Sequence, residues 1–255
     1  MKTNKTFTIR RLYFLLQRDI KTNLRPYLIG IGAIAGLLLL ILVFDSYFRG
    51  HINYEPFVST FLMIFTIGGL VFTSRIFSEI HQPEKSYYYL TLPASTLEKL
   101  VSQWLLSAVG VILVAYTGVY LVGYIGGLMS SALFGMDFYA LNLAEYTSSE
   151  TWLKYLVVHS IFFLGAVAFR NNNFIKTLLA IFVIGFIIAA FTGGLSYILF
   201  SGEELKDGNV WLSTFDLFPG LSEDVMNKLV DAVIRYIIAP FFLVVSYFKL
   251  KERQV

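Results

Sequence analysis

Three histidines, His51, His81 and His159, are the side chains of this sequence best suited to metal binding or proton transfer. They are too scattered for a His-Glu-x-x-His zinc site. His159 lies inside an apolar run, where an ionisable group indicates a role in a transport path. The alternative is a neutral imidazole that is hydrogen-bonded between packed helices and serves packing alone.

Asp231 and Arg235 are two further ionisable side chains that fall in an apolar run. Their i, i+4 spacing places them on one face of a helix, where they can pair and lower the cost of membrane insertion. We interpret the pair as structural, with a place at a substrate gate as the alternative.

Several kinds of chemistry are excluded. The chain has no cysteine, which rules out disulfides, thiol nucleophiles and Cys-ligated metals. It has no Gly-x-x-x-x-Gly-Lys-Ser/Thr loop and no Gly-Lys pair, so any ATP must be bound by another polypeptide. We therefore expect no catalytic residue, metal or cofactor in this chain, and no nucleic-acid partner for a net charge of only +3.

The composition is that of an integral membrane protein. Of the 255 residues, 56% are hydrophobic and 15% charged, and the mean hydropathy is +0.67. The apolar runs are long enough for helices across a hydrocarbon layer of about 30 Å and too long for transmembrane β-strands. We predict an all-α fold, one transmembrane domain over 1–255, with six spans. These spans are 27–44, 56–74, 100–136, 152–169, 177–202 and 230–248.

Most of the 20 basic residues fall on one side of this predicted topology. They precede the first span, lie in the 2–3 and 4–5 connections and follow the last span, whereas the other connections, including the outer loop 201–229, are rich in acids. Because basic residues stay in the cytoplasm, both termini should be cytoplasmic. We expect a multi-pass protein of the bacterial inner membrane.

Residues 7–25 predict an amphipathic helix in the membrane interface. Its apolar positions recur at helical spacing, with basic residues mostly outside that arc. Pro26 should end this helix and turn the chain into the first span. The alternative is a basic flank that only sets topology. The apolar positions are Ile9, Leu12, Tyr13, Leu16, Ile20 and Leu24.

The connection 75–99 predicts a short helix between two fixed turns. Pro83 suits the first turn of a helix, with Glu84 and Lys85 after it, and Pro93 prevents this helix from continuing. Ser95 and Glu98 have the spacing of a capping box that starts the third span. The aromatic run Tyr87, Tyr88 and Tyr89 is typical of a protein interface or, alternatively, of an interfacial belt.

The run Leu92-Pro93-Ala94-Ser95 followed by Glu98-Lys99, between spans two and three of a six-span chain, resembles permease subunits of ABC-type exporters. These are the transmembrane halves of drug, lipid and polysaccharide exporters. The resemblance implies that 75–99 is the coupling segment for a separate ATPase, which holds ATP and Mg, and that 7–25 is a connecting helix. It also implies a dimer of permeases within the membrane lipids. The coupling residues would be Glu84, Lys85, Tyr87, Tyr88, Tyr89, Pro93, Ser95 and Glu98.

A rival interpretation is a secondary transporter or channel driven by an ion gradient. Such proteins usually have broken helices, internal repeats or several buried ionisable groups, whereas His159 stands nearly alone here. A third is a membrane assembly factor without transport activity.

Overall fold

The computed structural model describes residues 7–200, 228 and 232–253, and these residues are helical without a β-strand. The predicted all-α class is therefore confirmed for this part of the chain. The α-helices of the described residues differ in length from 4 to 41 residues. They are α1 (Ile9–Arg49), α2 (Tyr54–Arg75), α3 (Ser78–His81), α4 (Pro83–Thr91), α5 (Thr96–Trp104), α6 (Val111–Phe134), α7 (Ser149–Ala168), α8 (Asn173–Phe200) and α9 (Ala239–Glu252).

Five helices of the described residues are long and apolar enough to cross a membrane, which supports a multi-pass membrane protein. They are Ile9–Arg49, Tyr54–Arg75, Thr96–Phe134, Glu150–Ala168 and Asn173–Leu195. The predicted sixth span, 230–248, lies only partly within the described residues, where a π-helical turn at Ile234–Ile238 leads into α9. The predicted outer loop 201–229 lies outside them except for residue 228.

The predicted break at Pro26 is wrong, because Pro26 lies inside α1, a helix of 41 residues. Proline has no backbone N–H group, so the helical hydrogen bond to the carbonyl of Thr22 cannot form, while the hydrogen bonds on either side can continue the helix. Prolines in membrane helices are tolerated where neighbouring groups compensate. At 1.5 Å per residue α1 is about 60 Å long, roughly twice the thickness of the hydrocarbon layer. Residues 9–25 and the first predicted span thus belong to one helix.

A second long helix is formed by α5 and α6 with a π-helical turn, Leu105–Gly110, between them. Glycines of α6 allow other helices to approach its backbone closely. A Cβ atom at Gly126 would lie 2.5 Å from Leu42 Cδ2 of α1, and one at Gly127 would overlap the hydroxyl of Tyr54 on α2. Here α1, α2 and α6 pack into one core, whose fully buried members include Leu38, Leu42, Phe57, Phe61 and Val119.

A separate core forms around the connection between α2 and α5, and we name it the connection cluster. It brings residues of α3 and α4 against the ends of α7 and α9, which fixes the connection to the rest of the fold. Its buried members are Phe77, Ile80, Tyr89, Leu100, Phe163, Ala166, Val167 and Leu250.

Candidate functional site

The predicted short helix of the connection is α4, Pro83–Thr91. Proline occupies its first turn together with Glu84, and the chain leaves the helix at Leu92 in an extended conformation (φ −56°, ψ 132°) immediately before Pro93. An acidic residue in the first turn is favourable beside the helix dipole. The two prolines therefore bracket a helix of only 9 residues.

The three tyrosines of α4 do not share one environment. Tyr87 and Tyr88 are 70% and 72% exposed and their rings touch edge to face, whereas Tyr89 is 3% exposed. Glu84 and Lys85 are also exposed. The sequence indicated an aromatic surface but not its division into an exposed pair and a buried anchor.

Tyr89 anchors α4 between two cations from other helices. Its ring lies 5.8 Å from the guanidinium of Arg18 on α1 and 5.3 Å from Lys99 Nζ on α5. Cations over an aromatic face are attracted by the ring quadrupole. Burial, reinforced by the nearby Asp19 carboxylate, raises the pKa of the Tyr89 phenol, so the side chain stays neutral.

The predicted capping box at the start of α5 is present. Ser95 Oγ accepts a hydrogen bond from Glu98 N at 3.2 Å, and Glu98 Oε2 accepts one from Ser95 N at 2.7 Å. Glu98 also accepts from the beginning of α1, because Oε1 lies 2.6 Å from Thr8 N and 3.1 Å from Arg11 Nε. The carboxylate is fully buried, and it links two helix starts about ninety positions apart in the sequence.

A second set of polar contacts joins α1 to α3 and α5. Arg18 on α1 donates to Glu79 Oε2 at 2.7 Å and to Asp19 Oδ1 at 2.9 Å. The other oxygen of Asp19 accepts from Gln103 Nε2 on α5 at 2.7 Å. Asp19 and Gln103 are both buried, which makes this contact costly to break.

These contacts form one site, which we name the polar joint. It consists of Arg11, Arg18, Asp19, Glu79, Tyr89, Glu98, Lys99 and Gln103. The polar joint connects α1, α3, α4 and α5, and Tyr89 is the residue that α4 contributes to it. Sequence reasoning found Tyr89 and Glu98 from local motifs, but it missed their partners on α1 because no spacing rule relates residues so far apart.

Polar side chains also form hydrogen bonds with backbone carbonyl groups at the C-terminal end of α7, beside the connection cluster. The carbonyl of Ala166 lies 2.8 Å from His81 Nε2, and Arg253 donates to His81 Nδ1 at 2.7 Å and to the carbonyl of Ala168 at 3.1 Å. Arginine only donates and a carbonyl only accepts, so His81 is neutral with its proton on Nε2. Burial lowers the pKa of His81; the nearby Arg253 and Arg170 lower it further, and the bond to Ala166 opposes them.

His159 lies apart from the polar joint, in the packing between α7 and the π-helical turn. The hydroxyl of Ser107 donates to the carbonyl of Gln103 at 2.8 Å, so its oxygen accepts from His159 Nε2 at 2.9 Å. The imidazole is fully buried and stacks on Phe163. Its Nδ1 atom has no hydrogen-bond partner within the described residues.

The remaining predicted site residues are only partly described. Asp231 lies outside the described residues, and of Arg235 only the backbone is described, within the π-helical turn Ile234–Ile238. In the described part of the chain, no group of three or more His, Asp or Glu side chains is arranged to hold a metal ion. In comparisons with known proteins, no family model, curated protein or solved structure matches this chain.

Proposed function

We propose that this chain is the membrane permease subunit of an ATP-driven ABC exporter. It works as a dimer, forms the translocation path from six spans per subunit, and has both termini on the cytoplasmic side of a bacterial inner membrane. ATP and Mg are held by a separate ATPase subunit, and the chain itself is not an enzyme. The observation that carries the proposal is the exposed pair Tyr87 and Tyr88 on α4, whose opposite side is buried through Tyr89.

The exposed face of α4 has the properties of an interface hot spot. Tyr87 and Tyr88 offer large rings with few rotatable bonds, which lose little entropy when a partner covers them. The exposed Glu84 and Lys85 flank them with both signs of charge, as is common at an interface rim. A groove on the ATPase would receive the two rings.

The buried side of α4 is suited to transmitting a displacement to the membrane helices. Tyr89 inserts into the connection cluster and lies between cations of α1 and α5. Packed cores and ion pairs rearrange between discrete states rather than deforming continuously. Movement of α4 on the ATPase would therefore reorient α1 and the helix that begins with α5, two of the helices that line or support the path.

The position of the connection agrees with a cytoplasmic location. The beginning of α1 contacts the beginning of α5 through Thr8 and Glu98, so the N-terminal segment and the connection lie at the same end of the molecule. That end carries the basic residues which favour the cytoplasmic side.

The rival function, transport driven by an ion gradient, is favoured by one observation. His159 is fully buried and its Nδ1 atom has no partner among the described residues, which leaves a proton acceptor inside the membrane region. Reconstituted transport that responds to an ion gradient and ignores ATP would support this rival.

Co-purification tests the proposed function. The tagged chain, extracted from its native membrane, should bring with it a protein that carries a Gly-x-x-x-x-Gly-Lys-Ser/Thr loop, identified by mass spectrometry. The double variant Tyr87→Glu/Tyr88→Glu should lose this partner, because a hot-spot residue is worth about 2 kcal/mol or more, roughly thirtyfold in affinity for each ring.

The matched control is Tyr87→Phe/Tyr88→Phe, which keeps both rings and should retain the partner. Recovery of no ATPase with the unaltered chain, or equal recovery with the glutamate variant, would exclude α4 as the coupling surface. Since both rings are exposed, neither double variant should disturb folding, which the elution profile of the purified protein can check.

A further inference from the structure

The helices α1 and α6 end side by side, at the end of the molecule opposite the polar joint. Each ends at a glycine with positive φ, Gly50 (73°) and Gly135 (68°), whose N–H group bonds to the last turn at 2.9 Å. The rings of Tyr47 and Phe134, from the two last turns, lie 5.2 Å apart. A cavity of about 590 Å³ is lined by residues of both helix ends, and we name it the α1–α6 cavity. Its size is typical of small-molecule sites.

The two helix ends favour a positive charge in this cavity. The last carbonyl groups of an α-helix have no donor within the helix, and they form the negative end of its dipole. Asp137, which follows α6 and lines the cavity, adds an exposed carboxylate that forms no salt bridge within the described part of the chain. The neighbouring cation Arg49 donates to Asp45 at 2.8 Å, which offsets its charge.

Aromatic rings form much of the cavity wall. Tyr47, Phe134 and Tyr139 line it and are 58%, 38% and 48% exposed. A cation over an aromatic face is attracted by the ring quadrupole. The position of Tyr139 is fixed twice, because its hydroxyl donates to the carbonyl of Ile52 and its own carbonyl accepts from the hydroxyl of Tyr54 at 2.9 Å. The cavity wall is therefore largely formed before a ligand enters.

The polar groups of the wall suit an ammonium group better than a metal ion. His51 Nδ1 lies 3.1 Å from the carbonyl of Arg49 and donates to it, since a carbonyl only accepts. In the neutral ring Nε2 is then an acceptor. No group of three or more His, Asp or Glu side chains is arranged to hold a metal within the described ranges. A metal ion requires several such ligands, whereas an ammonium group is satisfied by rings and one carboxylate.

We propose that the α1–α6 cavity binds an organic ammonium group. The rings of Tyr47, Phe134 and Tyr139 would contact its alkyl substituents, while Asp137 and the two helix ends would balance its charge. Free solutes and some lipid headgroups both carry such a group. The cavity lies at the opposite end of α1 from the polar joint, so this binding is separate from the proposed ATPase contact, which uses α4.

Saturation-transfer NMR with choline as the probe tests the proposal. The purified full chain is kept in dodecyl maltoside micelles, which contain no ammonium group, at about 0.15 M sodium chloride. Saturation should pass from the chain to the choline methyl protons above the level found with empty micelles. Tetramethylammonium should displace choline. The neutral alcohol in which carbon replaces the nitrogen of choline should compete at least about fivefold more weakly, because it lacks the charge.

Substitutions in the cavity wall should weaken choline binding. Asp137→Asn and Tyr47→Leu should each do so by about two- to fivefold, and the double variant by roughly tenfold. The matched controls are Glu145→Gln, which removes an exposed acid outside the cavity, and Phe48→Leu, which removes an exposed ring beside Tyr47. Both controls should keep the affinity. All these side chains are exposed, so no variant should disturb folding, which the elution profile can check.

Three results would overturn the proposal. These are no saturation of choline above that of empty micelles, equal displacement by tetramethylammonium and the neutral alcohol, and unchanged affinity in the variant Asp137→Asn/Tyr47→Leu. None of these measurements requires the ATPase, so their outcome is independent of the proposed function.

A second measurement identifies the source of the ammonium group. The chain is placed in bilayer discs of phosphatidylglycerol with or without phosphatidylethanolamine, whose headgroup carries an ammonium group. Weaker choline binding in the presence of phosphatidylethanolamine would show that a lipid headgroup fills the cavity. Equal binding in both discs would identify a free solute as the ligand. Both outcomes support the site and differ only in the source of its ligand.

Discussion

Glu98 is a buried carboxylate that joins the beginning of α1 to the beginning of α5, and replacing it with glutamine tests the strength of this connection. The substitution keeps the size of the side chain but exchanges one acceptor oxygen for an amide donor. In the structure both oxygens accept, Oε1 from Thr8 N and Arg11, and Oε2 from Ser95 N. Whichever way the amide turns, a buried N–H group faces another donor.

The magnitude follows from these contacts. A buried donor left without an acceptor costs about 1–3 kcal/mol, and loss of the charge weakens the bond to Arg11 by roughly a further 0.5–1 kcal/mol, since Arg11 is one-third exposed. Glu98→Gln should therefore destabilise the fold by about 2–3 kcal/mol. Arg11→Gln should cost less than 1 kcal/mol, because the carboxylate keeps its two backbone donors.

The assay is reversible unfolding in mixed micelles with increasing sodium dodecyl sulfate, followed by circular dichroism. Glu84→Gln is the matched control, since Glu84 is exposed in the first turn of α4 and should change stability by less than about 0.5 kcal/mol. Equal effects of Glu98→Gln and Glu84→Gln on the free energy of unfolding would refute the view that Glu98 holds α1 and α5 together.

Two further outcomes test other parts of the fold. Burial lowers the pKa of the neutral His81, which lies between Ala166 and Arg253. Its contribution to stability should therefore be complete above about pH 6.5 and be lost as the pH falls through the pKa of the folded state. His81→Gln should flatten this pH dependence when the free energy of unfolding is measured from about pH 7.5 to 4.5. Gly126→Ala should destabilise the fold by about 1–3 kcal/mol, because the added Cβ atom would overlap the side chain of Leu42. Gly68→Ala is the control, since its Cβ atom would have no described atom within 4 Å. It should leave stability unchanged or raise it by up to about 1 kcal/mol in the same detergent titration.

Local signals in the sequence predicted the features that depend on neighbouring residues. Long apolar runs gave the helical class, and the Ser95 and Glu98 spacing gave the capping box, because both depend on contacts within a few positions. Pro83 likewise marked the beginning of α4.

Features that depend on distant residues were missed. Tyr89 points inward because it packs into the connection cluster and against Arg18 and Lys99, which lie far from it or on another helix. The proton position on His81 is decided by Ala166 and Arg253, 85 and 172 residues away. The break expected at Pro26 failed for a related reason, because local propensity does not determine whether a helix within a packed bundle continues through proline.

The continuity of α1 through Pro26 has a mechanical consequence. Arg11 at one end meets the carboxylate of Glu98, and Leu42 near the other end is seated on Gly126. These two of its attachment points lie about 45 Å apart along one continuous helix, so a tilt of that helix by about 5° would shift one of them by roughly 4 Å relative to the other. A long lever of this kind would amplify a slight adjustment at one surface of the bilayer into a side-chain-sized step at the opposite surface.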